Sequence, residues 1–206
     1  MKINNSKNKF IYLISPNNIQ SGFLSNLEII LSTKKIEFFQ LRLKNYTFQK
    51  KINIGKKIKK ICKKFKVKFL INDDPYLAKR LNADGCHLGQ NDIDILTARQ
   101  ILGKKIIGIT CHNSIKLAKT AIKYNPNYIA FGAFYATKTK KVKYKANMSI
   151  FKKIKKYSKL PIVAIGGIND VNYKKLLLNK ASFLAISGYI WNNKKLKPLE
   201  AIKKLK

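Results

Sequence analysis

Acidic residues are scarce in this chain, which has nine aspartates and glutamates among 206 residues against 44 lysines and arginines. The resulting formal net charge of +35 is typical of proteins that bind nucleic acids. However, the lysines are spread over nearly every predicted helix, and the chain is also rich in Ile and Asn. A bias in composition therefore explains the charge without a partner. We expect no specific nucleic-acid partner, and a basic nucleic-acid-binding protein without catalysis remains the alternative from another functional class.

Long apolar runs and linkers are also missing. No stretch approaches the roughly 20 apolar residues of a membrane span, and the polar start of the chain lacks the apolar core of a signal peptide. No stretch rich in Gly, Ser or Pro divides the chain, so residues 1–206 are predicted to form a single domain. We expect a soluble, cytoplasmic protein without a membrane partner, and self-association is left open.

Cysteine is rare and has no pattern of a disulfide framework. Cys62, Cys86 and Cys111 are odd in number and form no C-x-x-C pair, which is typical of reduced thiols. The pairs Cys86-His87 and Cys111-His112 raise the question of zinc. Because neighbouring residues of a strand point to opposite faces, neither pair can easily give both side chains to one ion. We therefore do not expect a zinc site.

The few acidic residues are concentrated in one part of the sequence, where five of the nine lie close together: Asp73, Asp74, Asp84, Asp92 and Asp94. Residues 67–72 and 84–89 are typical of two buried strands, with a short helix between them that opens at Pro75. Such a unit forms a right-handed parallel crossover, which brings the carboxyl ends of both strands to one edge. Asp73 and Asp92 could hold Mg²⁺ there, next to Asn72. Alternatively, Asp73 and Asp74 cap the helix that follows them, and Asp92 and Asp94 cap the next one.

A second polar group follows the predicted strand at residues 36–42. Gln40, Arg42 and Lys44 occupy alternate positions, so an extended chain would place them on one face. Arg and Lys together near the end of a strand can bind a phosphorylated ligand. The alternative is an exposed basic edge.

Two further segments could bind phosphate. Residues 134–147 show no clear helical or strand period, and we expect a mobile lid in which Thr137, Thr139 and Lys140 contact a phosphate. Gly166 and Gly167 lie between a buried strand and a helix predicted to start at Asn169, where backbone N–H groups can approach an anion. The alternatives are a solvated basic loop and a tight turn.

The order of elements predicts the fold class. Strands are predicted at residues 9–15, 36–42, 67–72, 84–89, 105–111, 127–133, 160–168 and 181–187. A predicted helix follows each strand, and Ser21 and Ser114 are candidate N-caps. Eight strands and eight helices in alternation indicate an α/β fold with a single (β/α)₈ TIM barrel, in which phosphate commonly binds after strands seven and eight.

Six motifs in this order carry a resemblance to a known family: QLRLK (40–44), INDD (71–74), DGCHLGQND (84–92), GITCH (108–112), TKTK (137–140) and AIGGI (164–168). Together they resemble thiamine phosphate synthase over nearly the whole chain. The resemblance implies a transferase of thiamine biosynthesis that joins 4-amino-2-methyl-5-(diphosphooxymethyl)pyrimidine to a thiazole phosphate or its carboxylate, releasing diphosphate. It implies Mg²⁺ as cofactor and small molecules as partners.

The resemblance also implies roles for individual residues. Mg²⁺ would be bound by Asp73 and Asp92, and catalytic roles would fall to Arg42, Lys44, Thr110 and Lys140. Substrate-binding positions would be Gln40, Leu41, Arg42, Leu43, Lys44, Asn72, Thr110, Thr137, Lys138, Thr139, Lys140, Gly167, Ile186 and Ser187. The chain departs from the family pattern at Leu43, Thr110 and Ala136, which puts rate and lid behaviour in doubt more than reaction class. A thiazole tautomerase of the same fold, which needs no Mg²⁺, is the alternative enzyme.

Overall fold

Eight parallel strands close into one barrel in the computed structural model, which describes residues 9–137 and 142–206. Each strand pairs with its neighbours in sequence, and the first pairs with the last. The strands are β1 (Ile11–Ile14), β2 (Ile36–Leu41), β3 (Lys68–Asn72), β4 (Gly85–Leu88), β5 (Ile106–Thr110), β6 (Tyr128–Gly132), β7 (Ile162–Ile165) and β8 (Phe183–Ile186). The predicted (β/α)₈ barrel is therefore confirmed.

Helices connect the strands on the outside of the barrel. They are α1 (Phe23–Ser32), α2 (Phe48–Lys64), α3 (Pro75–Arg80), α4 (Ile95–Leu102), α5 (Ile115–Ile122), α6 (Ser149–Lys155), α7 (Tyr173–Leu178), α8 (Gly188–Trp191) and α9 (Pro198–Lys204). The four-residue α8 between β8 and α9 was not predicted, so the last unit of the barrel has two helices instead of one. No helix in the described part of the chain is both long and apolar enough to span a membrane.

The predicted helix starts had mixed outcomes. Ser114 caps α5, since its Oγ accepts a hydrogen bond from Leu117 N at 3.2 Å. The prediction for Ser21 is wrong, because Gly22 precedes α1 with φ of 76° and no side chain caps the helix. Asn169 does not start α7 directly. Its Oδ1 accepts from the N–H groups of Val171 and Asn172 and forms a turn ahead of the helix.

Strand alternation separates the apolar side chains into two layers. One set of side chains points to the helices, and Leu13, Phe39 and Ile71 are examples. The other set fills the barrel: Tyr12, Ile14, Phe38, Leu70, Ile106, Tyr128, Ala130, Val163, Phe183 and Ala185. Full burial of each large apolar side chain contributes roughly 1.5–3 kcal/mol, so both layers together hold the strand ends in place.

A glycine makes room for one of the two tyrosines inside the barrel. A Cβ at Gly108 of β5 would lie 1.9 Å from the ring of Tyr128, on the neighbouring β6. The missing side chain lets the Tyr128 ring lie across β5, fully buried. Its hydroxyl thereby reaches the side chains of β1 and β4.

Candidate functional site

The acidic cluster divides into residues that brace the backbone and residues that lie free of the helices. Asp74 caps α3, because its Oδ1 accepts from Leu77 N at 2.8 Å, and Asp94 caps α4 through the N–H groups of Leu96 and Thr97. Asp84 lies at the opposite end of the barrel and accepts from Phe69 N at 2.8 Å. The capping alternative is therefore correct for Asp74 and Asp94 alone.

Asp73 and Asp92 follow neighbouring strands, and their carboxyl groups lie close enough together for Asp73 to raise the pKa of Asp92 through a side-chain hydrogen bond. Asp73 has a left-handed φ of 64°, unusual for a residue with a side chain, and its N–H donates to the carbonyl of His87 on β4 at 2.8 Å. Asp92 Oδ2 accepts from Gly89 N at 2.7 Å. The backbone thus fixes each carboxyl from a different direction, and the two carboxyls meet.

Two acids in contact perturb each other. Partial burial, together with the hydrogen bond and negative charge of Asp73, raises the pKa of Asp92 above its usual range, while Lys44 acts in the opposite direction. Lys44 Nζ lies 3.6 Å from Asp73 Oδ2, and its side chain is 55% exposed. A carboxyl pair of this kind offers the hard oxygen ligands that Mg²⁺ prefers, and the magnesium can complete its shell with water and substrate phosphate. The residues therefore fit the ion.

The three polar residues predicted on and after β2 lie at different depths in the barrel. Gln40 is only 2% exposed and lies inside the barrel. Arg42 lies higher, where its guanidinium donates to Asn17 Oδ1 and its backbone N–H donates to Ser15 Oγ. Lys44 is the most exposed of the three and faces Asp73. The three side chains alternate as predicted, but they reach the site at successive levels and have different partners.

The intervening leucines point away from the barrel interior. Leu41 and Leu43 are buried in the layer beneath the helices, as strand alternation requires. They also line a cavity of about 240 Å³ beside Lys44, Asn72 and Asp73, on the flank of β2 and β3. Their side chains shape that flank, and Leu43 does not separate Arg42 from Lys44.

A chain of buried hydrogen bonds crosses the barrel below the acidic pair. Gln40 Nε2 donates to Tyr12 Oη at 2.6 Å, and Tyr12 Oη lies 2.8 Å from Tyr128 Oη. Tyr128 Oη lies 2.8 Å from His87 Nδ1, and His87 Nε2 lies 2.8 Å from Thr110 Oγ1. The chain joins β2, β1, β6, β4 and β5, and Gln40 and Thr110 are its two ends.

Burial keeps the middle of this chain uncharged. Desolvation lowers the pKa of His87 to about 4, although the negative charge of Asp92 opposes this effect. Desolvation also raises the pKa of both Tyr12 and Tyr128. At neutral pH the buried side chains of this hydrogen-bond chain are therefore uncharged and present only dipoles to the site. The formal charges of the site lie at the carboxyl ends of the strands, which we call the mouth of the barrel.

The two Cys-His pairs that were considered as zinc ligands direct their side chains apart, as strand geometry requires. Cys86 is buried in the layer outside the barrel, whereas His87 points inside. Cys111 is buried in the same outer layer, and the ring of His112 stacks on Tyr144 with centroids 4.4 Å apart. Burial raises the pKa of all three thiols, that of Cys111 to about 12. None of these thiols is activated as a nucleophile.

The loops after β7 and β8 form a second part of the mouth. Gly166 and Gly167 have φ of 102° and 62°, and a Cβ at Gly167 would lie 2.2 Å from the carbonyl oxygen of Ala136. Only glycine permits this approach of two backbone segments. Ile186 is buried at the end of β8, and Ser187 Oγ donates to the carbonyl of Ser15 at 3.1 Å. The glycine turn and the start of α8 therefore face the same end of the barrel.

The predicted lid is anchored where it leaves and rejoins the barrel. Ala133 N donates to the Tyr144 carbonyl, Ala146 N donates back to Ala133, and Phe134 packs on Phe151. Thr137 is half-buried. The predicted phosphate-binding residues Lys138, Thr139 and Lys140 lie outside the described residues, and mobility of the segment remains a prediction.

The mouth thus collects most of the residues singled out from the sequence. Asn72, Asp73, Asp92 and Thr110 lie at the ends of β3, β4 and β5, next to Lys44. Sequence reasoning missed Tyr12 and Tyr128 and weighed His87 only as a zinc ligand. The available signal was weak, because Tyr12 and Tyr128 stand among mostly apolar interior residues and count as apolar in a strand pattern.

Comparisons with known proteins agree with this geometry. The family model for thiamine monophosphate synthase (TMP-TENI) matches residues 11–190. The chain is 69% identical to the thiamine-phosphate synthase of Pelagibacter ubique over 100% of both chains, and 38% identical to that of Erythrobacter litoralis over 88% of each. Thiamine phosphate pyrophosphorylase from Pyrococcus furiosus superposes with a TM-score of 0.85 at 25% identity, covering 98% of this chain and 95% of that one. The chain therefore belongs to the thiamine monophosphate synthase family, and it is an enzyme of the transferase class.

Proposed function

We propose that the protein makes thiamine phosphate by joining an aminopyrimidine diphosphate to a thiazole phosphate or its carboxylate, with Mg²⁺ held by Asp73 and Asp92. The observation that carries the proposal is the contact between these two carboxyls at the ends of neighbouring strands, within reach of Lys44. Two acids in contact are costly in a site that binds no cation, and the exposed Lys44 offsets only part of that cost. A diphosphate substrate accounts for all three residues.

The reaction needs charge stabilisation more than it needs a nucleophile. Breaking the bond between carbon and diphosphate places negative charge on the departing group, where Arg42, Lys44 and Asn72 would bind it. Bound Mg²⁺ would neutralise part of that charge. The aminopyrimidine can spread the positive charge left on its methylene carbon. The buried, protonated thiols of Cys86 and Cys111 agree with a reaction that forms no covalent enzyme intermediate.

The second substrate would enter over the glycine turn. Gly167, Ile186 and Ser187 lie beside the start of α8, the part of a (β/α)₈ barrel where phosphate commonly binds. Thr137, Lys138, Thr139 and Lys140 would cover the thiazole phosphate and the diphosphate from the segment after β6. The barrel then has to hold the thiazole nitrogen against the methylene carbon and keep water away.

Release of diphosphate from purified protein tests the proposal. With both substrates, release and thiamine phosphate formation should require Mg²⁺ and stop with a chelator. Asp92→Asn should lower kcat/KM by at least roughly a hundredfold, because it removes a metal ligand. The matched control is Asp94→Asn, which alters an exposed helix cap two residues away and should keep activity within about twofold. Turnover of a thiazole substrate without Mg²⁺ or diphosphate release would favour the tautomerase instead.

The proposal also includes the cellular compartment and the surface charge. Three free, buried cysteines agree with a reducing cytoplasm. The positive surface would attract both anionic substrates and needs no nucleic-acid partner. Purified protein that bound duplex DNA at moderate salt, and still did so as Asp92→Asn, would contradict this reading of the surface.

A further inference from the structure

We propose that Tyr12, Tyr128 and His87 are positioning residues that fix the direction of every proton between Gln40 and Thr110, so that the enzyme accepts a ring with an amino group and rejects one with a carbonyl. This inference rests on the proposed function, because the ring is that of the pyrimidine diphosphate. The inference adds that substrate specificity depends on residues that are hydrogen-bonded to one another inside the barrel.

The direction follows from what each atom can donate. An amide nitrogen only donates, so Gln40 Nε2 gives a hydrogen to Tyr12 Oη, and the single hydrogen of Tyr12 must go to Tyr128 Oη. The hydrogen of Tyr128 then goes to His87 Nδ1, which must be unprotonated. A neutral imidazole in that state carries its hydrogen on Nε2.

The direction continues to the other end of the chain. His87 Nε2 donates to Thr110 Oγ1, and the hydroxyl hydrogen of Thr110 remains available. A doubly protonated His87 would donate at both ring nitrogens and leave the Tyr128 hydrogen without an acceptor in a fully buried position. With Gln40 Nε2 facing Tyr12, the arrangement therefore satisfies every buried hydrogen in one tautomer, in which His87 carries hydrogen on Nε2 alone.

The two ends consequently have opposite polarity. Gln40 Oε1 has no hydrogen-bond donor among the residues that the structure describes, so it can accept from a ligand. Thr110 can donate its hydroxyl hydrogen. A 4-aminopyrimidine has an exocyclic amino group that matches the acceptor at Gln40, whereas a 4-oxo ring would place a carbonyl oxygen against it.

Removal of one hydroxyl from the hydrogen-bond chain should allow the Gln40 amide to reverse its orientation. In Tyr128→Phe the hydroxyl of Tyr12 loses its acceptor. The Gln40 amide can then rotate by about 180°, so that its Oε1 accepts the hydrogen of Tyr12. The flipped amide would offer N–H to the ligand and tolerate a carbonyl. The ring of residue 128 still fills the space over Gly108, so the packing of the barrel is retained.

The first experiment reads the tautomer directly. The chain has only two histidines, so two-bond ¹H–¹⁵N correlation spectra of protein labelled at histidine are readily assigned with a His112→Gln variant. At neutral pH we expect His87 with hydrogen on Nε2 and an unprotonated Nδ1. An Nδ1–H tautomer or an imidazolium would overturn the proposal.

The second experiment measures the specificity itself. We expect wild-type kcat/KM for the aminopyrimidine diphosphate to exceed that for its 4-oxo analogue by at least about a hundredfold. This ratio should fall roughly tenfold in Tyr128→Phe and in Tyr12→Phe, with KM for the thiazole phosphate unchanged. Tyr173→Phe is the matched control, since Tyr173 is equally buried but bonds to Lys206 outside the barrel.

The outcomes separate the inference from the function on which it rests. An unchanged ratio in both tyrosine variants would overturn the specificity role. If the wild type formed no thiamine phosphate, the proposed function would fail, and the histidine tautomer would still decide the direction of the protons. An equal fall in this specificity ratio for Tyr173→Phe would show that loss of any buried tyrosine hydroxyl lowers the ratio through general stability. That result would also overturn the inference.

Discussion

At the scale of single residues, the contact between Asp73 and Asp92 predicts a link between metal binding and stability. Two carboxyls in contact disfavour the folded protein without a cation, so Asp92→Asn should raise Tm in chelator by up to about 3 °C. Saturating Mg²⁺ should raise wild-type Tm by about 5 °C or more, since a ligand that binds only the folded state stabilises it. Asp92→Asn should lose most of that increase, as thermal unfolding followed by circular dichroism would measure.

The control for this experiment lies two residues away. Asp94→Asn removes one exposed charge of the same sign but leaves the acidic pair intact, so its Mg²⁺-induced increase in Tm should equal that of wild type. An equal loss in both variants would mean that the metal acts through general screening of charge. That result would contradict a site at Asp73 and Asp92.

Residue types alone could not distinguish ligands from caps within the acidic cluster. Asp74 and Asp94 have free backbone N–H groups of the next helix within reach, whereas the left-handed φ of Asp73 and the turn at Gly89 direct the other two carboxyls to each other. Such differences depend on local backbone angles that the sequence pattern does not specify. The order of strands and helices was predictable because it is specified by the apolar runs and by the turn-forming residues that end them.

At the scale of elements, the contact between β5 and β6 depends on Gly108. In Gly108→Ala the new Cβ would lie 1.9 Å from the Tyr128 ring, so the ring must move or the strands must separate. We expect a loss of roughly 1–3 kcal/mol in the free energy of unfolding, typical of an overpacked core. Urea unfolding would measure it.

A double variant identifies the cause of that loss. Tyr128→Leu removes the ring that the new methyl would meet, so Gly108→Ala should cost at least about 1 kcal/mol less in that background. Equal costs in both backgrounds would show that the conformation of residue 108 matters and the ring does not. The prediction concerns packing between strands and is independent of catalysis.

The hydrogen-bonded chain inside the barrel illustrates why some of the site escaped prediction. Its five members come from five strands, and Tyr12 and Tyr128 are 116 residues apart. In a strand pattern a tyrosine counts as an apolar residue, and its hydroxyl has no partner that the local sequence reveals. Only closure of the barrel, with the Gly108 gap, brings these hydroxyls together.

At the scale of the whole molecule, the charge of +35 predicts an effect on substrate capture. The positive field should attract both phosphorylated substrates, and added salt shortens its range from about 30 Å at 10 mM to about 8 Å at 150 mM ionic strength. We expect kcat/KM to fall several-fold between these conditions at constant free Mg²⁺, while kcat stays nearly constant because chemistry follows binding. Steady-state rates at a series of NaCl concentrations would measure this, and a parallel fall in kcat would instead indicate that salt disturbs the site. Duplex DNA added as a competitor at the higher salt should leave the rates unchanged, since dispersed lysines bind it only weakly once screened.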